Sequence, residues 1–210
     1  MFAGRNHGIG RSILTGLLVA LALTSSSAQA QGDGVATVAV KRGISSALRA
    51  AVPRMITSGD RLNRNDRIVT GPGGHLKIAF DDGYTVWAGS RTTFVITAVG
   101  TDGTLLKLTC GTLRIDTAPA AARPGFEVRT PHASLLLQTA DCVVQVTDSG
   151  SIAFARSGQI EISTAVPGYV VTLESGFGVE LTSGETPMPP QRWDRGRIDR
   201  LLELTALPTH

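Results

Sequence analysis

Two cysteines, Cys110 and Cys142, carry the most reactive side chains of the sequence. Alternating patterns turn Leu106, Leu108 and Cys110 inward along one predicted strand, and Cys142 with Val144 inward along another. In an exported protein, two inward cysteines can form a disulfide. They can equally remain separate buried thiols that behave as small apolar residues, because a disulfide requires Cα atoms within about 7 Å of each other.

The remaining titratable residues form no pattern typical of a catalytic or metal site. His75, His132 and His210 share no ligand-like spacing, and Asp81-Asp82 precedes a glycine in a predicted turn. The sequence contains no G-x-S-x-G nucleophile motif and no glycine-rich phosphate loop that leads into a helix. It therefore predicts a protein that is not an enzyme and that holds no cofactor and no metal ion.

Two tryptophans are the candidates for contact with a partner. Because Val86 faces inward by alternation, Trp87 should face outward, where an indole suits a protein surface or a sugar ring. The alternative is that a neighbouring loop or the C-terminal helix covers it. Trp193, at the start of the C-terminal segment, is the second candidate contact.

Short strands separated by tight turns must position these residues. Leu76, Ile78 and Phe80 alternate with polar or small residues, and Asp82-Gly83 supplies a turn before the next strand begins. Similar short segments follow one another to about residue 182, without the long crossovers that parallel βαβ units need. The pattern predicts an all-β domain over residues 31–186, as a sandwich, a barrel or a solenoid.

The N-terminus is typical of a secretory signal. Arg5 and Arg11 precede an apolar run at residues 13–23, which is too short to span a bilayer, since a spanning helix takes about 20 residues. The A-x-A sequence that ends at Ala30 predicts a signal peptide of residues 1–30, cleaved before Gln31. The alternative is an uncleaved anchor. No second apolar run is long enough to span a membrane, so the cleaved protein should be soluble.

The C-terminal residues 187–210 differ from the rest. Prolines at 187, 189 and 190 end the β pattern, and residues 193–204 carry apolar side chains at helical spacing. This segment should form one short amphipathic helix, which either caps the β body or docks a partner.

The balance of charges argues against a dedicated nucleic-acid-binding protein. The formal net charge is +3, and removal of Arg5 and Arg11 with the leader leaves about +1. A nucleic-acid-binding domain typically shows a basic stripe, which this sequence lacks.

Several landmarks in a fixed order make the chain resemble the FecR domain family. The resemblance covers about residues 34–182, and the ordered set is more specific than any single landmark. The landmarks are Gly59-Asp60, NDRIVTG at 65–71, FDDG at 80–83, Gly111, FEVRTP at 126–131 and Gly158-Gln159-Ile160.

The resemblance implies a periplasmic, non-enzymatic domain built as a short right-handed β-helix, with a β-sandwich as the alternative. Members of the family relay envelope signals, often by contacting an outer-membrane transducer, and others stand alone. We therefore expect an exported module that recognises an envelope protein or senses a signal. The alternative is a structural component of the envelope that binds glycan or peptidoglycan.

The sequence departs from the family in three places. Only a short polar stretch precedes the apolar run, where regulator members carry a cytoplasmic anti-sigma segment. Too few residues follow the β region for the secretin-like subdomain that many regulators add. Thr139-Ala140-Asp141-Cys142 stands where the family has Gly-Thr-x-Phe. These departures favour a stand-alone exported protein.

Overall fold

The computed structural model describes residues 34–117, 125–164, 166, 169–182 and 187–207. The predicted leader, with its cleavage site between Ala30 and Gln31, lies outside these residues. Within them the backbone forms fifteen strands and one α-helix. The strands are β1 (Gly34–Arg42), β2 (Ser45–Arg49), β3 (Val52–Met55), β4 (Arg61–Asn63), β5 (Arg67–Thr70), β6 (His75–Phe80), β7 (Thr85–Ala88), β8 (Thr93–Gly100), β9 (Gly103–Asp116), β10 (Phe126–Arg129), β11 (Ala133–Thr147), β12 (Gly150–Thr164), β13 (Val170–Glu174), β14 (Phe177–Leu181) and β15 (Gln191–Arg192), and the helix is α1 (Arg195–Glu203).

Backbone pairing arranges the strands in two runs that share the long strands β9, β11 and β12. The first run has the order β4-β1-β6-β7-β9-β11-β12-β14-β15. The second has the order β3-β2-β5-β8-β9-β10-β11-β12-β13. Among the described pairs, only β9 with β10 is parallel. The shared strands connect all fifteen into one hydrogen-bonded sheet.

Each shared strand passes from one run to the other at an irregular position. Strand β9 does so at Gly111 and β12 at Gly158, both with positive φ, of 87° and 74°. In β11 the pairing with β12 shifts register between Leu137 and Ala140. Such irregularities bend a strand, and glycine permits the left-handed backbone that the bend needs.

The inward side chains of both runs form one apolar core. The alternation predicted around Leu76, Ile78 and Phe80 is present, and all three are buried. Phe126 packs edge-to-face against Phe80 and Tyr84, with ring centroids 6.0 and 5.1 Å away. The predicted mostly-β chain with one short C-terminal helix is confirmed, whereas the choice between β-helix and β-sandwich stays a prediction. No helix within the described ranges is both long and apolar enough to cross a membrane.

The β2–β3 hairpin turns through two alanines in an unfavourable conformation. Ala50 and Ala51 both have positive φ, of 46° and 66°, where two-residue hairpins usually place asparagine and glycine. We expect Ala51→Gly to raise the free energy of unfolding by about 1 kcal/mol, because glycine adopts this backbone without a Cβ clash. Urea denaturation measures the change. The control is Ala79→Gly, at an exposed position of β6. This change should lower the free energy of unfolding by about 0.5–1 kcal/mol, because glycine weakens the interior of a strand. A loss of stability in both variants would contradict the prediction.

Candidate functional site

A row of outward-facing residues crosses the first run, and we call it the outer row. Its members lie directly opposite one another on successive strands, because each alternates with a core residue of its own strand. The row consists of Lys77, Trp87, Arg114, Val143, Phe154 and Gly178.

Trp87 lies outside the core, half-buried between two cationic neighbours of the outer row. The Arg114 guanidinium lies 4.5 Å from the indole centroid and the Lys77 ammonium lies 5.4 Å from it. Both distances fall within the range of cation–π attraction. The indole is therefore held in one orientation and is not an isolated surface ring.

An ion cluster fixes the Arg114 side chain beside Trp87. Asp141 accepts hydrogen bonds from Arg114 Nε and Nη2, at 3.0 and 2.8 Å, and a further one from Arg156. The hydrogen bond with Asp141 raises the pKa of Arg114 above its usual value. These hydrogen bonds hold the Arg114 guanidinium in place beside the indole.

The C-terminal segment covers the other half of the outer row. Trp193 stacks on Phe154, with centroids 5.2 Å apart and planes 12° from parallel. Its ring lies so close to Gly178 that a Cβ there would come within 2.1 Å of it. In this structure Trp193 is buried against the protein's own sheet, and its contact with a partner stays a prediction. The outer row offers an aromatic ring and a bare glycine backbone, and the indole packs onto both.

The helix α1 begins after Asp194, whose side chain accepts a hydrogen bond from the Arg197 backbone N–H. Leu201 is buried, and Ile198 and Leu202 pack beside it. The helix thus packs on the outer face of β11 and β12. The sequence left open whether this helix caps the β body or docks a partner, and in this structure it packs against the β body.

A groove of about 400 Å³ lies between Trp87 and α1. Its sheet side carries Trp87, Arg114 and Arg156, and its helix side carries the acidic Asp199 and Glu203. The groove therefore combines an aromatic floor with walls that carry side chains of opposite charge. The remaining lining residues are Leu202, Thr205, Ala206 and Leu207.

The two cysteines are free, with Cys110 exposed and Cys142 buried. The expected inward orientation of Cys110 is wrong, because the pairing of β8 with β9 shifts between Thr93 and Phe94 and places one extra residue before Cys110. The disulfide alternative is also contradicted. Cys142 pairs with Ile115, five residues further along β9, which is about 16 Å of strand.

We expect thiol titration of the native protein to detect one reactive cysteine. Cys110 should react without denaturant, whereas Cys142 should react only after unfolding, because its burial raises the pKa of the thiol and blocks access. Cys110→Ser should abolish the native signal, and Cys142→Ser should leave it unchanged. If either thiol of the denatured protein reacted only after a reductant was added, the protein would contain a disulfide and this arrangement would be contradicted.

The other titratable candidates lie apart. Asp81 pairs with Arg61, whereas Asp82 accepts a hydrogen bond from Thr104. His132 Nδ1 lies 2.7 Å from Ser151 Oγ, a contact that the sequence did not indicate. Ser151 is only 1% exposed and so cannot meet a substrate in this conformation. In the part of the chain that the structure describes, no group of three or more His, Cys, Asp or Glu side chains could hold a metal ion.

Comparison with known proteins finds a family that part of the chain matches. Residues 66–161 match the family model described as FecR protein. That range contains the sheet side of the groove, including Trp87, Arg114 and Arg156, and does not include α1. No curated protein matches the chain significantly.

Two crystal structures of candidate anti-sigma factors from Parabacteroides distasonis ATCC 8503, at 2.50 and 1.65 Å, share the fold. Both superpose with a TM-score of 0.56, at 18% and 19% sequence identity, and cover 65% of this chain. This chain spans 63% and 64% of the length of those proteins, which is less than two thirds.

Proposed function

We propose, from the premise that residues 66–161 form a FecR domain, that this protein is a non-enzymatic recognition module that senses or relays a signal at the cell envelope. The fold that it shares with two candidate anti-sigma factors supports a role in signalling. The predicted leader supports a periplasmic location. The short strands of the domain, whose side chains alternate between core and outer face, support a β-helical winding.

The groove beside Trp87 is the observation that carries this proposal. Tryptophan and arginine are the side chains that most often dominate the energy of protein interfaces. Here Arg114 is held by Asp141 and the indole is held by Arg114, so little side-chain freedom remains to be lost on binding. Such a preorganised surface, with acidic side chains opposite, suits a protein segment that carries both apolar and charged groups.

In-cell photo-crosslinking tests the proposal. A photoreactive amino acid at Ala206, an exposed residue that lines the groove, should crosslink to one specific envelope protein. The same group at Leu136, which is 36% exposed on the second run, serves as the matched control and should not. Trp87→Ala should reduce the Ala206 crosslink at least fivefold, while thermal unfolding shows that the chain remains folded.

Two results would contradict this function. One is the same crosslinked protein from both positions, which indicates proximity without recognition. The other is co-sedimentation with cell-wall sacculi that depends on Trp87, which supports the glycan-binding alternative.

A further inference from the structure

The outer face beneath α1 is a second apolar surface, separate from the core. Val143 and Phe154 of the outer row form a cluster with Trp193 and Leu201, and Ile152 packs at its edge. None of these residues belongs to the large core cluster inside the sheet. The face is therefore covered by the C-terminal segment and not by the body of the fold.

The residues that hold α1 on this face have a simple spacing. Trp193 lies in the extended segment just before the N-cap residue Asp194, and Arg197 and Leu201 lie four residues apart on one side of α1. The Trp193 indole lies between Phe154 and the Arg197 guanidinium, which is 3.7 Å from the ring centroid. Arg197 also donates a hydrogen bond to Glu180 of β14. The surface thus accepts an aromatic ring, a guanidinium and a leucine in fixed order.

The contact between α1 and this face is incomplete. Besides the groove at Trp87, a cleft of about 360 Å³ lies beside Leu204 and Gln145, and one of about 250 Å³ lies beside Met188 and Glu180. These clefts lie along the edges of the C-terminal segment, where it makes no close contact with the sheet. A nine-residue helix is also unstable on its own. Its position therefore depends on a few anchors, above all Trp193 and Leu201.

We propose that the face formed by β11, β12 and β14 is a helix-docking site, and that α1 occupies it until an amphipathic helix of a protein partner displaces it. The partner carries an aromatic residue two positions before its helix begins, an arginine four positions after that aromatic residue and a leucine four positions after the arginine. The aromatic ring stacks on Phe154 over Gly178, and the arginine pairs with Glu180. The inference goes beyond the proposed function, since it concerns the face beneath α1. Displacement of α1 would also remove Asp199 and Glu203 from the groove, so the two partners would exclude each other.

A peptide of the chain's own residues 187–207 is the probe, because it has the required chemistry. Fluorescence anisotropy should show it binding the Trp193→Ala chain at least tenfold more tightly than the unaltered chain, whose own helix competes. The Trp193→Ala form of the peptide should not bind. Adding Gly178→Leu to the Trp193→Ala chain should abolish binding of the peptide. The leucine side chain would occupy the space over residue 178 that the indole of the peptide needs. Adding Leu136→Ala, on the second run, should leave binding unchanged.

Hydrogen exchange of the unaltered chain provides a test that does not depend on a variant. Amides of α1 should exchange at least tenfold faster than those of β11 and β12, because the helix opens without unfolding the sheet. Equal protection of all three elements would overturn the proposal. So would a folded Trp193→Ala chain that fails to bind the peptide, or one that loses its β-sheet signal in circular dichroism. Dimerisation of the Trp193→Ala chain with the unaltered chain, in place of peptide binding, would assign the site to a second copy and also overturn it.

Discussion

Replacing Gly158 by alanine should lower the free energy of unfolding by about 3 kcal/mol or more, because two costs coincide at this residue. Its φ of 74° is unfavourable for any residue with a Cβ. In addition, the new Cβ would lie 1.9 Å from the Thr139 carbonyl oxygen and 2.9 Å from the Ala140 Cα. Both are backbone atoms of the paired strand β11, so neither can rotate away. Guanidinium denaturation of the purified protein measures the loss.

Gly73→Ala is the matched control for this prediction. Gly73 has a similar φ of 67°, but no atom lies within 4 Å of the position of its Cβ. Its replacement should cost only the backbone term of about 1 kcal/mol. The difference between the two variants isolates the close approach of β11 and β12 at the bend. Equal losses would show that the bend tolerates a side chain.

Replacing Asp66 by asparagine should lower the free energy of unfolding by about 3 kcal/mol, because it removes the acceptor of several charge-assisted hydrogen bonds. The Asp66 carboxylate is fully buried. It accepts hydrogen bonds from Arg49 at 2.9 Å, from Arg54 at 3.2 Å and from the Asn63 backbone N–H at 3.0 Å. These contacts tie the β2–β3 hairpin to the segment between β4 and β5. Asp81→Asn is the control, since its pair with Arg61 is about half exposed and should contribute less than about 1 kcal/mol.

The same carboxylate gives stability a dependence on pH. Burial alone would raise the pKa of Asp66, but the hydrogen bonds from Arg49, Asn63 and Arg54 outweigh it and hold the pKa below its usual 3.8. A folded-state pKa below the unfolded one stabilises the protein above pH 3.8, and this stabilisation is lost as the pH falls through the folded value. The unfolding free energies of the unaltered and Asp66→Asn chains, measured from pH 6 to pH 2, should therefore converge below about pH 4. A difference that stays constant across this range would show that Asp66 is not the group that titrates.

The local parts of the fold could be predicted because they depend on neighbours in the sequence. Alternation placed Leu76, Ile78 and Phe80 in the core, and the Asp82-Gly83 pair marked the turn that follows them. Helical spacing predicted the C-terminal helix to within about two residues at its N-terminus and one at its C-terminus. Each of these features follows from a period or a turn residue that a sequence displays directly.

The parts that depend on contacts between distant strands could not be predicted in the same way. The exposure of Cys110 results from a register shift against β8, which no local pattern announces. The burial of Trp193 depends on Gly178 and Phe154 lying side by side on β14 and β12. The groove likewise combines Arg114, Arg156 and Glu203, which are distant in sequence. Alternation indicated that Trp87 faces outward, but not that two cations hold it.

The sharing of β9, β11 and β12 between both runs has a consequence for synthesis, when a chain emerges N-terminus first. Strands β1 to β8 can form hairpins early, but they belong alternately to two separate sets of paired strands. The first segment to join these sets is β9, and its partners β11 and β12 end only at residue 164. We therefore expect folding to finish only after about three quarters of the polypeptide has been made, and the nascent chain to stay accessible to proteases until then.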